Sequence, residues 1–531
     1  MSTTDHQQQQ KYTHPSYPNY GIFSSQPPPS YTGTEEYSHG FSQPQTPIMP
    51  MPMPQIFSAH TPPSPPSTNT VDDSKYFPRP KYQDLWAAIL FLLHFAAYIV
   101  ISIIALANFG KLQRSPDKNP AQKATLNWSI IWLLLFNAGV GFFFSLTYLS
   151  MAEKFPRQFI TATFIISIGF YWAITIYFFV AEYLGPAILF LFFSGFYTFL
   201  YLAWRPLIPL SAALLETVVS ITKRYKATIL VAFGGLLLQF LYQAWWIFTI
   251  TAAYQYWYPP ACSKNPQSTQ CDKKKINSIA VFLIFSFYWT SQVIQVLVHV
   301  TLSGVFAAYY FLEGTPQGMP RSPTLESLKR ATTTSFGSVC LGSLIVALLQ
   351  TIRALLRAAA QESDNPFGQF CALCAECIVA YIDALLQFFN FYAYTQVAIY
   401  GKSYVHAAKD TWTLIKERGV ELIANDILVG NVLVMGSILI GMITALLGYL
   451  FTIVFQPDFN HGGTFTPLIV FLAFIMGFQM MNVLSSVIHS GVATTFVALA
   501  EDPAALYRTK PALFEMIRQA YPNIALWEHL R

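Results

Sequence analysis

The chain has 531 residues, of which 53% are hydrophobic and 16% aromatic but only 11% charged, against roughly 25% charge in an average soluble domain. So few charges cannot coat a water-facing surface, and a mean hydropathy of +0.40 calls for hydrocarbon as the surrounding medium. A formal net charge of +5 is too small to suggest a nucleic-acid partner.

Residues 1–80 hold 16 of the 34 prolines, interleaved with Gln, Ser, Thr and Tyr and without apolar periodicity. A segment that buries so little cannot offset its ordering entropy, so it reads as a disordered cytoplasmic tail. No cleavable signal peptide is expected, because the first apolar run begins only near Trp86, and that span must direct insertion itself. Within the tail, Pro28-Pro29-Ser30-Tyr31 has the PPxY form that docks on WW domains. There a preformed polyproline helix offers Pro28, Pro29 and Tyr31 to an aromatic groove. A WW-domain ubiquitin ligase is the partner this motif implies; chance occurrence in a proline-rich tail is the plainer reading.

About 20 apolar residues in a helix cross a hydrocarbon layer of about 30 Å. By that length the sequence predicts an all-α, polytopic membrane bundle of about ten transmembrane helices in the bilayer, within a domain over 81–500. The spans fall near 86–109, 128–151, 159–182, 186–204, 228–254, 278–300, 332–355, 378–400, 427–455 and 466–492. Residues 207–223, with Pro206 and Pro209 at their start and Glu216 within, are too short and polar to cross and are expected as an interfacial or re-entrant helix. Residues 501–531 are expected as a cytoplasmic C-terminal tail.

Sorting Lys and Arg onto alternate sides of these spans places 21 on the side of the N-terminal tail and 10 on the other. The positive-inside rule then puts both termini in the cytoplasm. Cys262, Cys271, Cys371, Cys374 and Cys377 fall on or beside predicted outer loops, where disulfides persist. Cys262 and Cys271 close a short loop and are a candidate pair. The Cys371-x-x-Cys374-x-x-Cys377 run lacks a fourth ligand nearby, which favours thiols or a disulfide over metal. Asn127-Trp128-Ser129 is a candidate glycosylation site on the same side, close to the second span.

Polar groups in a membrane are costly and face the bundle interior. In the eighth span Glu376, Asp383, Gln387, Asn390 and Tyr394 share one helical face. The sixth offers Tyr288, Gln292, Gln295 and His299, the fifth Gln239, Gln243 and Trp246, and the tenth Gln479, Asn482, Ser486 and His489. Four stripes of this kind suit a shared pathway, although amides on helix faces also serve simply to bond neighbouring helices. Asp383 stands out, since a carboxylate near mid-span must be paired, protonated or hydrated. Tyr242, Trp245, Trp246, Tyr288 and Trp289 have the chemistry to cage a quaternary ammonium by cation–π attraction; packing is the bland alternative. The candidate substrate-binding set is therefore Tyr242, Trp246, Tyr288, Gln292, Asp383, Gln387, Asn390 and Tyr394.

Enzyme readings find little purchase. Gly401-Lys402-Ser403 lacks the upstream glycine of a phosphate loop, where Gln396 stands instead. No G-x-S-x-G elbow or H-E-x-x-H motif occurs, and no cofactor or metal is expected. A lipid-modifying activity built on His94, His299 or His489 is the remaining enzyme alternative.

Arg321-Ser322-Pro323-Thr324-Leu325, Leu328-Lys329-Arg330-Ala331 and Ser335-Phe336-Gly337-Ser338 resemble segments of the choline transporter-like family, in particular its fungal branch. The likeness continues through Asn390-Phe391-Tyr392-Ala393-Tyr394, Tyr400-Gly401-Lys402-Ser403 and Glu501-Asp502-Pro503, and covers residues 80–531. The resemblance implies a ten-span plasma-membrane protein with cytoplasmic termini that moves choline or a related organic cation. A non-transporting scaffold or trafficking adaptor, and a channel or lipid scramblase, are the alternatives.

Overall fold

The computed structural model describes residues 81–113, 128–257, 274–315, 318–362, 366–455 and 466–509, with a few positions beyond. Pro28, Pro29 and Tyr31, the Cys262/Cys271 pair and Asn127 lie outside them. The described residues are almost all helical, without strands. Ten long helices recur in the expected order: α1 (Leu85–Gln113), α2 (Trp128–Lys154), α3 (Pro156–Val180), α4 (Leu184–Trp204), α6 (Ala227–Trp257), α7 (Lys274–Leu312), α9 (Phe336–Glu362), α10 (Pro366–Tyr400), α11 (Tyr404–Phe455) and α12 (Thr466–Glu501). The shorter helices are α5 (Ile208–Arg224), α8 (Pro323–Thr332) and α13 (Pro503–Thr509). Among the described residues, nine helical segments are long and apolar enough to cross a membrane; α4 and α5 form one of them, and α2 is not counted.

The distribution of side chains is that of a protein dissolved in lipid. Phe192, Leu230 and Phe248 are 67%, 74% and 66% exposed, while Asp383 and His299 are buried to 1% and 7%. Hydroxyls inside the helices satisfy themselves on the carbonyl four residues back, as Ser145, Thr301 and Thr444 do, which is the cheapest solution where water is absent.

Two helices organise the bundle. α7 and α12 pack on one another; α1, α6, α9 and α10 gather around α7, while α2, α5 and α11 gather around α12. The α11–α12 pair approaches closely: a Cβ on Gly477 would fall on the Thr444 hydroxyl and lie 2.9 Å from the Ile440 carbonyl, so glycine is what lets the two backbones meet. α4 packs mainly on α3 and turns nearly all its apolar side chains outward.

α5 has the two-faced character its sequence suggests. Eleven of its 17 residues are buried, against α2, α3, α11 and α12, while Pro209, Glu216 and Lys223 fall on one exposed stripe. One packed face and one open face suit the interfacial and the re-entrant alternatives alike. Its C-terminal cations pair outward, Lys223 with Glu153 and Arg224 with Glu313 at 2.7 Å.

The C-terminal segment also packs into the bundle. Asp502 Oδ1 caps α13 by accepting from the N–H groups of Ala504 (3.1 Å) and Ala505 (3.3 Å), and Pro503 occupies the first turn, where its missing N–H costs nothing. Ala505, Leu506 and Phe514 are buried with Leu210, Tyr310 and Leu414. The Glu501-Asp502-Pro503 run is thus a helix junction, with Gln396 donating to Glu501 at 2.6 Å.

Candidate functional site

The eight residues singled out by helical spacing do not converge on one pocket. Tyr242 and Trp246 project from α6 and spend their polar atoms on the α7 backbone, the Tyr242 hydroxyl on Ser286 O and the Trp246 indole on Leu283 O, each at 2.8 Å. Tyr288 packs half-buried beside a cluster drawn from α1, α7, α9 and α10. Gln292 donates across to Gln350 of α9 at 3.4 Å. The α10 stripe is a single face, as its spacing predicts, and the described contacts of that face run to α9 and the start of α11. Tyr394 OH lies 3.5 Å from Ser343, and Asn390 accepts from the Tyr404 hydroxyl at 2.5 Å.

Asp383 is paired. Arg353 Nη1 reaches its Oδ2 at 2.7 Å, and Gln387 donates to its Oδ1 at 2.9 Å. Arg353 and Arg357 stand one turn apart on α9, and both also hold Glu376, at 3.3 and 2.8 Å. Two cations therefore meet two carboxylates across the antiparallel α9–α10 pair, leaving the cluster neutral. Arg353 and Arg357 lie inside α9, toward its C-terminal end.

A second polar centre lies where α7, α10, α11 and α12 meet. His489 Nε2 is 2.5 Å from Asp426 Oδ1, and the Tyr392 hydroxyl donates to the same oxygen at 3.4 Å. The Phe391 ring is stacked between two imidazoles, 4.0 Å from His299 and 4.4 Å from His489, centroid to centroid. The two histidines are bonded differently. His299 Nε2 faces the Phe391 carbonyl at 2.9 Å and must carry the proton, while Nδ1 meets the Ser490 hydroxyl at 2.8 Å; it is a satisfied, neutral core histidine. His489 instead faces the Asp426 carboxylate.

Accessibility separates the two acids. The Asp383 side chain is 1% exposed and held by a guanidinium, whereas Asp426 and His489 keep 20% and 32%. Sequence reading missed Asp426 because its predicted span opened one residue later, at 427; a lone acid beside that boundary was the available signal. Its pairing with His489, 63 residues on, had none. Cys371, Cys374 and Cys377 are exposed free thiols on the first turns of α10, and Cys340 is a buried one. Among the described residues no group of three or more His, Cys, Asp or Glu side chains is placed to hold a metal ion.

Long apolar helices with polar centres buried between them define a polytopic helical membrane protein. A family model described as plasma-membrane choline transporter matches residues 188–504. The chain is 35% identical to protein PNS1 of Gibberella zeae over 461 residues, 85% of each chain. It is 33% identical to protein pns1 of Aspergillus fumigatus over 523 residues, 95% of each chain. With PNS1 of Debaryomyces hansenii the identity is 35% over 460 residues, 85% of this chain and 90% of that one. The chain belongs to the plasma-membrane choline transporter family.

Proposed function

We propose that this protein carries a small organic cation, choline or a close chemical relative, across the plasma membrane, with both termini in the cytoplasm, and that Asp426 and His489 receive its charge. The observation that carries the reading is the partly accessible Asp426–His489 pair within the apolar segments Ala424–Phe455 and Ile469–Glu501. A carboxylate there is expensive unless matched, and an organic cation would match it. The Phe391 faces are taken by His299 and His489, so the charge of Asp426 is what this site offers a cation.

The role first given to Asp383 passes to Asp426, and Asp383 with Arg353 becomes an internal ion pair that fixes α10 against α9. Tyr242, Trp246 and Gln292 serve the α6–α7 and α7–α9 contacts, and Tyr394 and Asn390 face Ser343 and Tyr404. A transporter with its binding centre among the spans and no enzyme chemistry is the function this arrangement suits.

Saturable uptake of labelled choline into proteoliposomes is the direct test. Asp426→Asn is expected to lower Vmax/KM at least tenfold while Asp383→Asn, in protein of equal folded yield, lowers it less. Equal uptake by the wild type and Asp426→Asn would remove the site; absence of saturable uptake of choline and of other quaternary amines would remove the function.

A further inference from the structure

Asp84, the residue before α1, is bound on three sides. Its Oδ2 accepts from the Ser338 hydroxyl at 2.7 Å and from the Tyr404 backbone N–H at 2.8 Å. Ser338 lies in the first turn of α9 and Tyr404 is the first residue of α11, so one carboxylate joins the starts of three helices. The backbone makes the same connection: Gln83 N–H donates to the Thr334 carbonyl at 3.0 Å, and the Asp84 carbonyl accepts from Ala87 at 2.9 Å.

Two local features permit this contact. Asp84 adopts φ +49°, a left-handed conformation that aspartate tolerates better than most side chains. Gly337 lies beneath it, and a Cβ there would fall on the carbonyl oxygens of Gln83 and Asp84, so no other residue allows the two backbones to touch. From Tyr404 the connection runs inward. Its hydroxyl donates to Asn390 of α10 at 2.5 Å; Asn390 is 2% exposed and its amide nitrogen has no partner.

We propose that Asp84 is a latch, tying the segment that enters α1 to the buried polar face of α10 through Tyr404, and that it must release when the bundle opens at the Asp84 end. Only this last step rests on the transport reading; the coupling itself does not. A charge-assisted bond to a helix N-terminus suits the task, being strong while formed and cheap to exchange for water once the end is exposed.

Amide hydrogen exchange on the detergent-solubilised full chain tests the coupling, and a cross-link tests the release. In Asp84→Ala the Tyr404 amide, and those of residues 336–340, are expected to exchange about tenfold faster than in the wild type. Ser338→Ala, which removes one bond and leaves the carboxylate, is the second variant should the first fold poorly, and is expected to move the same amides less. Unchanged exchange in both overturns the latch. A Gln83→Cys/Thr334→Cys pair, in a background without other reactive thiols, is expected to stop uptake when oxidised and restore it when reduced, with the melting temperature not lowered; full uptake by the oxidised protein overturns the release step. If the wild type transports nothing, the transport reading fails and exchange alone decides the coupling.

Discussion

Arg353 and Asp383 show how a residue flagged for function becomes structural once its partner is visible. Removing one partner of a buried pair leaves the other uncompensated, at a cost of about 3–5 kcal/mol. Since Arg353 keeps 26% side-chain exposure, the lower end applies. Arg353→Gln is therefore expected to destabilise the protein by about 3 kcal/mol, and Arg353→Gln/Asp383→Asn by clearly less than the two single changes added together; thermal unfolding in detergent checks the cycle, and simple additivity would deny the pairing. Arg330, on α8 outside the spans, is pushed down to about 10 by burial, yet stays charged at neutral pH and donates to the Ala398 carbonyl at 2.9 Å. Tyr404, outside them too, is pushed the other way, from 10.0 up to about 12 by burial. Its native form keeps the proton after the unfolded chain has lost it, so its contribution is intact below pH 10 and drains away between about 10 and 12. Tyr404→Phe is expected to melt lower at neutral pH, through the orphaned Asn390 oxygen, and to show a shallower fall in melting temperature above pH 10. A fall as steep as the wild type's would place the alkaline transition on other tyrosines.

At the scale of the element, α5 shows what packing adds. Proline, glutamate and short length all point away from a crossing helix. What they cannot show is that Leu210, Ser211, Ala212, Leu214, Leu215 and Val218 form one broad face that finds neighbours, opposite the exposed Glu216 and Lys223. Ser211 even donates to Asn425 of α11 at 2.5 Å. Ala212→Lys tests that packed face: on the open stripe lysine snorkels to the headgroups at little cost, whereas against α2, α3, α11 and α12 it finds no water. Loss of folded protein on size exclusion is expected, and a monodisperse, wild-type-like peak would deny the packing. The α10 stripe makes the converse point. Its 3.6-residue period placed five polar residues on one face, and they do share it; periodicity has no means of saying whether that face meets a pathway or another helix.

For the whole molecule, the medium follows from composition, since side chains such as Phe192 and Leu230 can face outward only in hydrocarbon. The protein is accordingly expected to stay in the membrane fraction after alkaline carbonate washing. Orientation rests on the excess of Lys and Arg on one side and is open to direct measurement. Single cysteines placed at Arg321 and Lys409 are expected to resist a membrane-impermeant maleimide in intact cells and to react after permeabilisation, while one at Lys264 reacts in both; the reverse pattern would invert the topology.

Hydrophobic length and period are local quantities, so the ten long helices, their order and the polar stripes could be read from the chain alone, as could the resemblance carried by short local motifs. The neutralisation of Asp383 by Arg353, the meeting of Asp426 with His489 and the joining of Asp84 to Tyr404 are decided between residues 30, 63 and 320 positions apart. Nothing in the local pattern encodes such distances, because which faces meet depends on how every other helix packs, and only the tertiary structure holds that information.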